Sequence, residues 1–391
     1  MNKVLILHCC ILFIVSLCAT WWIFKKVLRI AVEKNIVDNP DERKLQRVPV
    51  PLLGGIAVFF GIVVALTVAN VLFDQTSLFS IVGVMVMMLY IGTMDDILSL
   101  SPYVRFLAQI IAVLLIIYGN DISFNNFYGL WGLWNLPDWF AVPMTVFACV
   151  GIINSINLID GVNGLSSGYC IIACSFFAWA YIWADDSELA SLAIICLGAL
   201  IPFFFHNVFG NKSRMFIGDG GTLLMGTIMS VFVLGALNNN SLFAACVNAD
   251  FGIVPFVLSM LAIPVFDTIR VMFVRIIRGT SPFRPDKTHL HHLLLDLHFS
   301  HIGTTMVEIL ANFGVVGSWY LSYKLGASID VQTYVVIGLG LLITFGFYKF
   351  ARVQERRKTK IYYLMTKIGD LTHVEDKNWF KSLTKFMDRG Y

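Results

Sequence analysis

The stretch MLYIGTMDDILSLSP, residues 88–102, ends an apolar run in two adjacent carboxylates, Asp95 and Asp96. If the run is a helix, both charges lie at its carboxyl end, where the macrodipole disfavours anions by a few tenths to about 1 kcal/mol. A partner that offsets this cost is expected nearby. The run itself is one of many. The 391-residue chain is 58% hydrophobic and 14% charged, with a mean hydropathy of +0.76, against about 25% charged residues in an ordinary soluble domain.

Runs long enough for a hydrocarbon core of about 30 Å fall at 4–24, 54–73, 77–94, 104–119, 139–153, 169–184, 189–205, 221–237, 251–270, 304–322 and 331–350. The expectation is an all-α polytopic membrane protein with eleven spans, or ten if the short run at 139–153 or the soft edge near 77 is discounted. Period-two alternation is absent, which argues against an outer-membrane barrel. The first run is too long for the apolar part of a signal peptide and no A-x-A site follows it, so it reads as a retained helix.

Basic residues accumulate in cytoplasmic loops, and here they sort almost wholly to one side. Loops after odd-numbered spans carry Lys25 to Arg47, Arg105, Lys212, Arg214, Arg270 to Lys287 and all those from Lys349 onward, against Lys3 and Lys324 opposite. The amino terminus is therefore expected outside and the carboxyl terminus in the cytoplasm. Residues 1–350 read as one integral membrane domain, and 351–391 as a basic cytoplasmic tail with ten basic and five acidic residues. The tail suits anionic headgroups or a plain solvated role. No nucleic-acid partner is expected.

Five polar clusters share the cytoplasmic side: 37–55, 94–106, 154–168, 206–221 and 278–294. Paired Asp95 and Asp96 next to Arg105 suit a cation between them and another partner, and hard oxygen ligands suit Mg²⁺ held together with substrate phosphates. Asp219, followed by two glycines and an apolar helix, is either an N-cap or a metal ligand beside amides free for phosphate. Asn154, Asn157, Asp160 and Asn163 carry more side-chain oxygens than a helix reversal needs. Arg284, Lys287, His289, His291 and His292 form a cationic, hydrogen-bonding patch for phosphates; a zinc site would need a further spaced ligand. The set implies phosphoryl chemistry at a membrane surface, between a soluble and a lipid substrate.

In these residues the chain resembles the polyprenyl-phosphate N-acetylhexosamine-1-phosphate transferases, all five clusters matching in order over about residues 35–300. The resemblance implies catalytic roles for Asp95, Asp96, Asp160 and His289, and Mg²⁺, with Mn²⁺ as a substitute, on Asp219, Asn157 and Asp96. It implies substrate contacts by Lys44, Arg105, Asn163, Asn207, Phe216, Arg284, Lys287, His291 and His292, with Phe216 stacking on uracil. The H-x-H-H form of the histidine motif is typical of members that use UDP-GlcNAc-like donors. Asn163, Gln46 and Leu52 depart from the usual Asp, His and polar residue.

The implied reaction moves a sugar 1-phosphate from a UDP-N-acetylhexosamine to undecaprenyl phosphate and releases UMP, starting an envelope polysaccharide at a bacterial inner membrane with the site facing the cytoplasm. Partners are those two substrates and the bilayer, and a homodimer is compatible with the reading. The phospho-N-acetylmuramoyl-pentapeptide transferase branch is the near alternative. An ion-coupled transporter is the alternative of another class, but it would place carboxylates near the midplane of paired, interrupted repeats, and no repeat is visible.

Overall fold

A computed structural model describes residues 3–39, 48–73, 75, 78–282 and 286–390. The apolar runs form long helices because in hydrocarbon a helix satisfies its own backbone groups. In chain order these are α1 (Lys3–Glu33), α2 (Gly54–Phe73), α3 (Phe79–Leu98), α4 (Pro102–Asn120), α5 (Asp138–Leu158), α6 (Leu165–Trp183), α7 (Ser187–Phe209) and α8 (Gly218–Leu237). A short α9 (Leu242–Cys246) precedes the pair α10 (Ile253–Met260) and α11 (Ala262–Ile277). Then come α12 (Leu290–Asp296), α13 (His301–Lys324), and α14 (Ile329–Leu341), which runs through a π-helical stretch, Leu342–Phe347, into α15 (Tyr348–Arg357). The carboxyl-terminal segment forms α16 (Lys360–Asp370) and α17 (Asn378–Met387).

Among the described residues nine helices are long and apolar enough to cross a membrane, or ten if α10 and α11 are one span bent by 76°. The sequence suggested eleven or ten, and the two runs it discounted for ten, 77–94 and 139–153, both form helices of spanning length. The difference falls on α13, which forms where the run 304–322 was expected but buries Thr304, Thr305, Glu308 and Asn312. Asn312 explains part of that polarity. Its amide donates to the carbonyls of Ser259 (3.3 Å) and Met260 (3.1 Å), and its oxygen accepts from the Ile263 amide (3.1 Å). These are the backbone groups left over where α10 breaks into α11, and buried ones are costly unless paired.

α8 is the axis of the bundle, its apolar span wholly buried. Two close approaches set what stands beside its amino end. A side chain at Gly92 of α3 would run into the backbone of Asp219 and Gly220, and one at Gly55 of α2 into Gly221. Small residues let helix backbones approach in membranes, so here they bring the end of α3, with Asp95 and Asp96, against the start of α8.

The first polar loop is tied to the same place. Strand β1 (Val37–Asp38) pairs antiparallel with β2 (Val50–Pro51), with Val37 opposite Pro51. Beyond β2, the Phe216 amide donates to the Pro51 carbonyl (2.8 Å), while the amides of Gly54 and Gly55 donate to the carbonyls of Phe216 (2.9 Å) and Ile217 (2.8 Å).

Candidate active site

The ends of α3, α5 and α7, the start of α8, and the loop before α12 border one cavity of about 1280 Å³. Asp95, Asp96, Asn157, Asp160, Asn163, Asn207, Phe216, Asp219, Lys287, His292 and Arg105 all line it. His289 and His291 do not. Lys44 and Arg284, like Gln46, lie outside the described residues.

The offset expected for the two carboxylates of α3 is present, and most of it is backbone. Asp95 turns back over its own helix end: its carboxylate accepts from the Leu100 amide (2.7 Å) and from the Arg105 guanidinium (2.7 Å). The turn requires Ser99 in the left-handed region at φ 52°, its amide donating to the Asp95 carbonyl. Asp96 instead reaches the start of α8, accepting from the amides of Asp219 (3.0 Å) and Gly220 (3.3 Å). A helix amino terminus favours an anion, so Asp96 gains there what it loses at the end of α3. This corrects the expectation of amides free for phosphate at that terminus, since the chain supplies its own anion.

Asp219 accepts from the Asn157 side-chain amide at 2.8 Å and lies 3.5 Å from the Arg105 guanidinium. Asn157 also donates to Thr222 (2.8 Å), one turn into α8. Arg105 thus lies between Asp95 and Asp219, with about a third of its side chain exposed to the cavity. Asp160 accepts from the Ser166 hydroxyl. Burial pushes its carboxyl up to about 6, and that hydrogen bond only partly opposes the rise.

A divalent cation is implied by the resemblance. Among the described residues no three His, Cys, Asp or Glu side chains converge on a point. Mg²⁺ does not need three, because it is usually held by one or two carboxylates and completed by substrate phosphates and water. Asp219, with a third of its side chain exposed, and the neighbouring carboxylates fit such a cation in that way.

The histidine segment differs from its expected character. His289 is buried and its Nδ1 lies 2.8 Å from the Asp267 carboxylate, which also accepts from Arg270 at 2.7 Å and from the Leu290 amide at 3.2 Å. Its ring stacks on His291, with centroids 5.5 Å apart and planes at 7°. His291 packs on Gly161, where a side chain would meet its ring, so the segment is seated against the loop that carries Asp160. Burial first, then neighbouring histidine charge, lowers His291, and the same causes with Lys287 take His292 down to about 4. Both are thus held toward the neutral imidazole rather than the cation expected of the patch, and His291 Nδ1 has no hydrogen-bond partner among the described residues. Burial alone would raise Asp286, but hydrogen bonds from Arg275 and Thr288 hold it below the usual carboxylate range.

Asn207 braces the scaffold. Its oxygen accepts from the Gly164 amide (2.7 Å) and its amide donates to the Met215 carbonyl (2.9 Å). Asn163 is fixed through its backbone, whose amide donates to His301 Nδ1 (3.3 Å) and whose carbonyl accepts from the Thr305 hydroxyl (3.0 Å).

Sequence reasoning missed Asp267, Asp286, Arg214 and His301, the last three of which line the cavity. Asp267 had a signal, being an ionisable residue inside an apolar run. His301 had none.

The family profile described as Glycosyl transferase family 4 matches residues 78–236. A Bacillus subtilis (strain 168) protein, named a probable undecaprenyl-phosphate N-acetylglucosaminyl 1-phosphate transferase, is 32% identical over 77% of this chain and 81% of its own length. Undecaprenyl-phosphate alpha-N-acetylglucosaminyl 1-phosphate transferases of Yersinia pestis and Escherichia coli O157:H7 are 30% and 29% identical, each over 74% of this chain and 79% of their own. The chain belongs to glycosyl transferase family 4. Members of that family are transferases, and this chain is a multi-pass membrane transferase whose carboxylates and Arg105 converge at one polar end.

Proposed function

We propose that the chain transfers N-acetylglucosamine 1-phosphate from UDP-GlcNAc to undecaprenyl phosphate, releasing UMP, at the cytoplasmic face of a bacterial inner membrane, and so begins an envelope polysaccharide. The observation that carries this is the meeting of Asp95, Asp96, Asp219 and Arg105 at one cavity in a chain whose relatives bear that activity in their names. Those names do not favour the muramoyl-pentapeptide branch. With the amino terminus outside and α13 as an eleventh span, the cavity opens to the cytoplasm.

Atoms balance in a direct displacement. An oxygen of the lipid phosphate forms a bond to the sugar-bearing phosphorus, the bond from that phosphorus to the bridging oxygen breaks, and UMP leaves with the electron pair. A phosphate monoester has a second pKa near about 6, so the nucleophile is already largely a dianion at pH 7. Asp95 is spoken for by Leu100 and Arg105, which supports a role as holder of the guanidinium rather than as base. Arg105 then meets charge as it develops on the phosphate oxygens. Mg²⁺ or Mn²⁺ on Asp219, with Asn157 and Asp96 alongside, would supply neutralisation of the diphosphate.

The test is incorporation of label from radiolabelled UDP-GlcNAc into a lipid fraction, with equimolar UMP, by the purified protein and undecaprenyl phosphate. Label from another UDP-sugar alone would move the donor assignment. No lipid label from any UDP-sugar would remove the reading.

A further inference from the structure

The carboxyl-terminal segment does not hang free. Asp388 accepts from three successive amides, Asn211 (3.1 Å), Lys212 (3.1 Å) and Ser213 (3.0 Å), and from the Ser213 hydroxyl (2.9 Å). Consecutive amides of this kind form an anion-binding nest. Burial would raise the Asp388 carboxyl, but the hydrogen bonds from Ser213 and Lys212 hold it below its usual range. Phe380 packs on Phe209 with ring centroids 5.4 Å apart, and Lys25 Nζ donates to the Arg389 carbonyl at 3.1 Å. Further back, the Ser300 amide donates to the Thr372 hydroxyl (2.9 Å) and the Ser300 hydroxyl to the Thr372 carbonyl (2.7 Å).

These contacts lay α17 along the cavity, which Phe380, Lys381, Thr384 and Lys385 line. Residues four apart share a helix face, so the apolar side of α17 sits on α7 while both lysines turn to the cavity. Among the described residues, seven acidic and five basic side chains line that cavity, and α17 supplies two of the five. A substrate with a phosphate group meets four carboxylates on the inner wall and needs cations opposite them. Lys381 pairs with Asp376 at 3.1 Å, but the lysine side chain is 60% exposed and the aspartate fully so. A pair that exposed is weak, and a phosphate can displace it.

We propose that α17 is the outer wall of the substrate cavity, with Lys381 and Lys385 gripping a phosphate-bearing substrate and Asp388 latching the wall shut. The inference rests on the transferase reading. The ligand chemistry is a phosphate ester, carried either by the nucleotide sugar or by the lipid.

Full-length protein is assayed by varying UDP-GlcNAc at saturating undecaprenyl phosphate, and then the reverse. K381A/K385A raises the KM of one substrate about tenfold, as two exposed charge contacts would, with the loss in KM more than in kcat. The substrate affected identifies which phosphate is held. K381R/K385R restores most of the affinity, and Asp388→Ala raises the same KM. Calorimetric binding of UDP, and of undecaprenyl phosphate in detergent, gives a readout that needs no turnover. Unchanged KM values and unchanged binding in K381A/K385A overturn the proposal. A wild-type protein that binds these ligands through the lysines but transfers nothing would count against the transferase reading alone.

Discussion

The carboxylate of Asp96 accepts the backbone amide of Asp219 at 3.0 Å, so the last turn of α3 caps the first turn of α8. One residue of the carboxylate pair thereby holds in place a carboxylate that faces the cavity. Asp96→Ala should leave the amides of Asp219 and Gly220 without a partner in a half-buried place, which costs about 1–3 kcal/mol. Thermal denaturation should show a clearly lowered midpoint together with a large loss of activity. A variant as stable as the parent, inactive only, would mean that Asp96 acts on substrate and not on the fold.

Arg105 joins Asp95 and Asp219 through Nη1 alone, which leaves the other donors of its planar fork for phosphate oxygens, and a lysine offers no such fork. Arg105→Lys should cut kcat by about one to two orders of magnitude, since removing a donor aimed at developing charge costs roughly that or more. A double-mutant cycle with Asp95→Asn should give a coupling near 1 kcal/mol, because the guanidinium is partly solvated. Additive effects of the two substitutions would dissolve the link between them.

Asp160 offers a test by pH. Its carboxyl sits at about 6 because burial disfavours the charge, and an unfolded aspartate titrates near about 3.9. The protonated form is thus the one favoured by folding. Its contribution is complete below the unfolded value and is lost as pH rises through about 6. Asp160→Asn, which cannot ionise, should gain in melting temperature relative to the parent between pH 5 and pH 8. A difference that stays flat across that interval would place the carboxylate in a better-solvated setting than its burial implies.

The apolar runs announced the bundle, and the carboxylate pair, the Asn157–Asp160 loop and the Asp219 segment announced the polar end, because each motif is local and chemically dense. Other features required the chain to be folded. Asp96 meets α8 only because Gly92 and Gly220 let the two helices touch, and no spacing rule links residues so far apart. The histidines read as cations in isolation, yet packing against Gly161 buries His291, His292 is half-buried beside it, and both are pushed toward the neutral form. Asp267 and Glu308 sit inside runs that a hydropathy average treats as apolar, so a single charge there does not stand out. The carboxyl-terminal segment shows amphipathic spacing in the sequence, but the surface that receives it is built by residues 209–213.

His289 is held at Nδ1 by Asp267 (2.8 Å), and its Nε2 has no hydrogen-bond partner among the described residues. A carboxylate on one ring nitrogen fixes the tautomer and the ring orientation, so the buried His289 steadies the segment that presents Lys287 and His292 to the cavity. His289→Ala should weaken use of the UDP-sugar more than use of the lipid. Asp267→Asn should reproduce most of that loss while keeping the imidazole. If Asp267→Asn keeps full activity, the pair is a packing feature of α11 and the histidine segment only.

Asp219 combines the features expected of the residue that meets the metal: it lies at the amino end of the buried α8, it is a third exposed to the cavity, and it is flanked by Arg105 and Asn157. Chelation by EDTA should stop turnover, and Mg²⁺ or Mn²⁺ should restore it. Asp219→Ala should lose activity by at least about 10³-fold, as loss of a principal charge-stabilising group does. Excess Mg²⁺ should not rescue it, since a missing ligand is not replaced by mass action where the remaining carboxylates are already hydrogen-bonded to Arg105 and to backbone amides. The variant should melt close to the parent, because Asn157 keeps Thr222 and Arg105 keeps Asp95 as acceptors, while the backbone amide of residue 219 still donates to Asp96. Rescue at high Mg²⁺ would instead assign the cation chiefly to Asp95 or Asp96, and full activity without any divalent ion would detach the metal from this site.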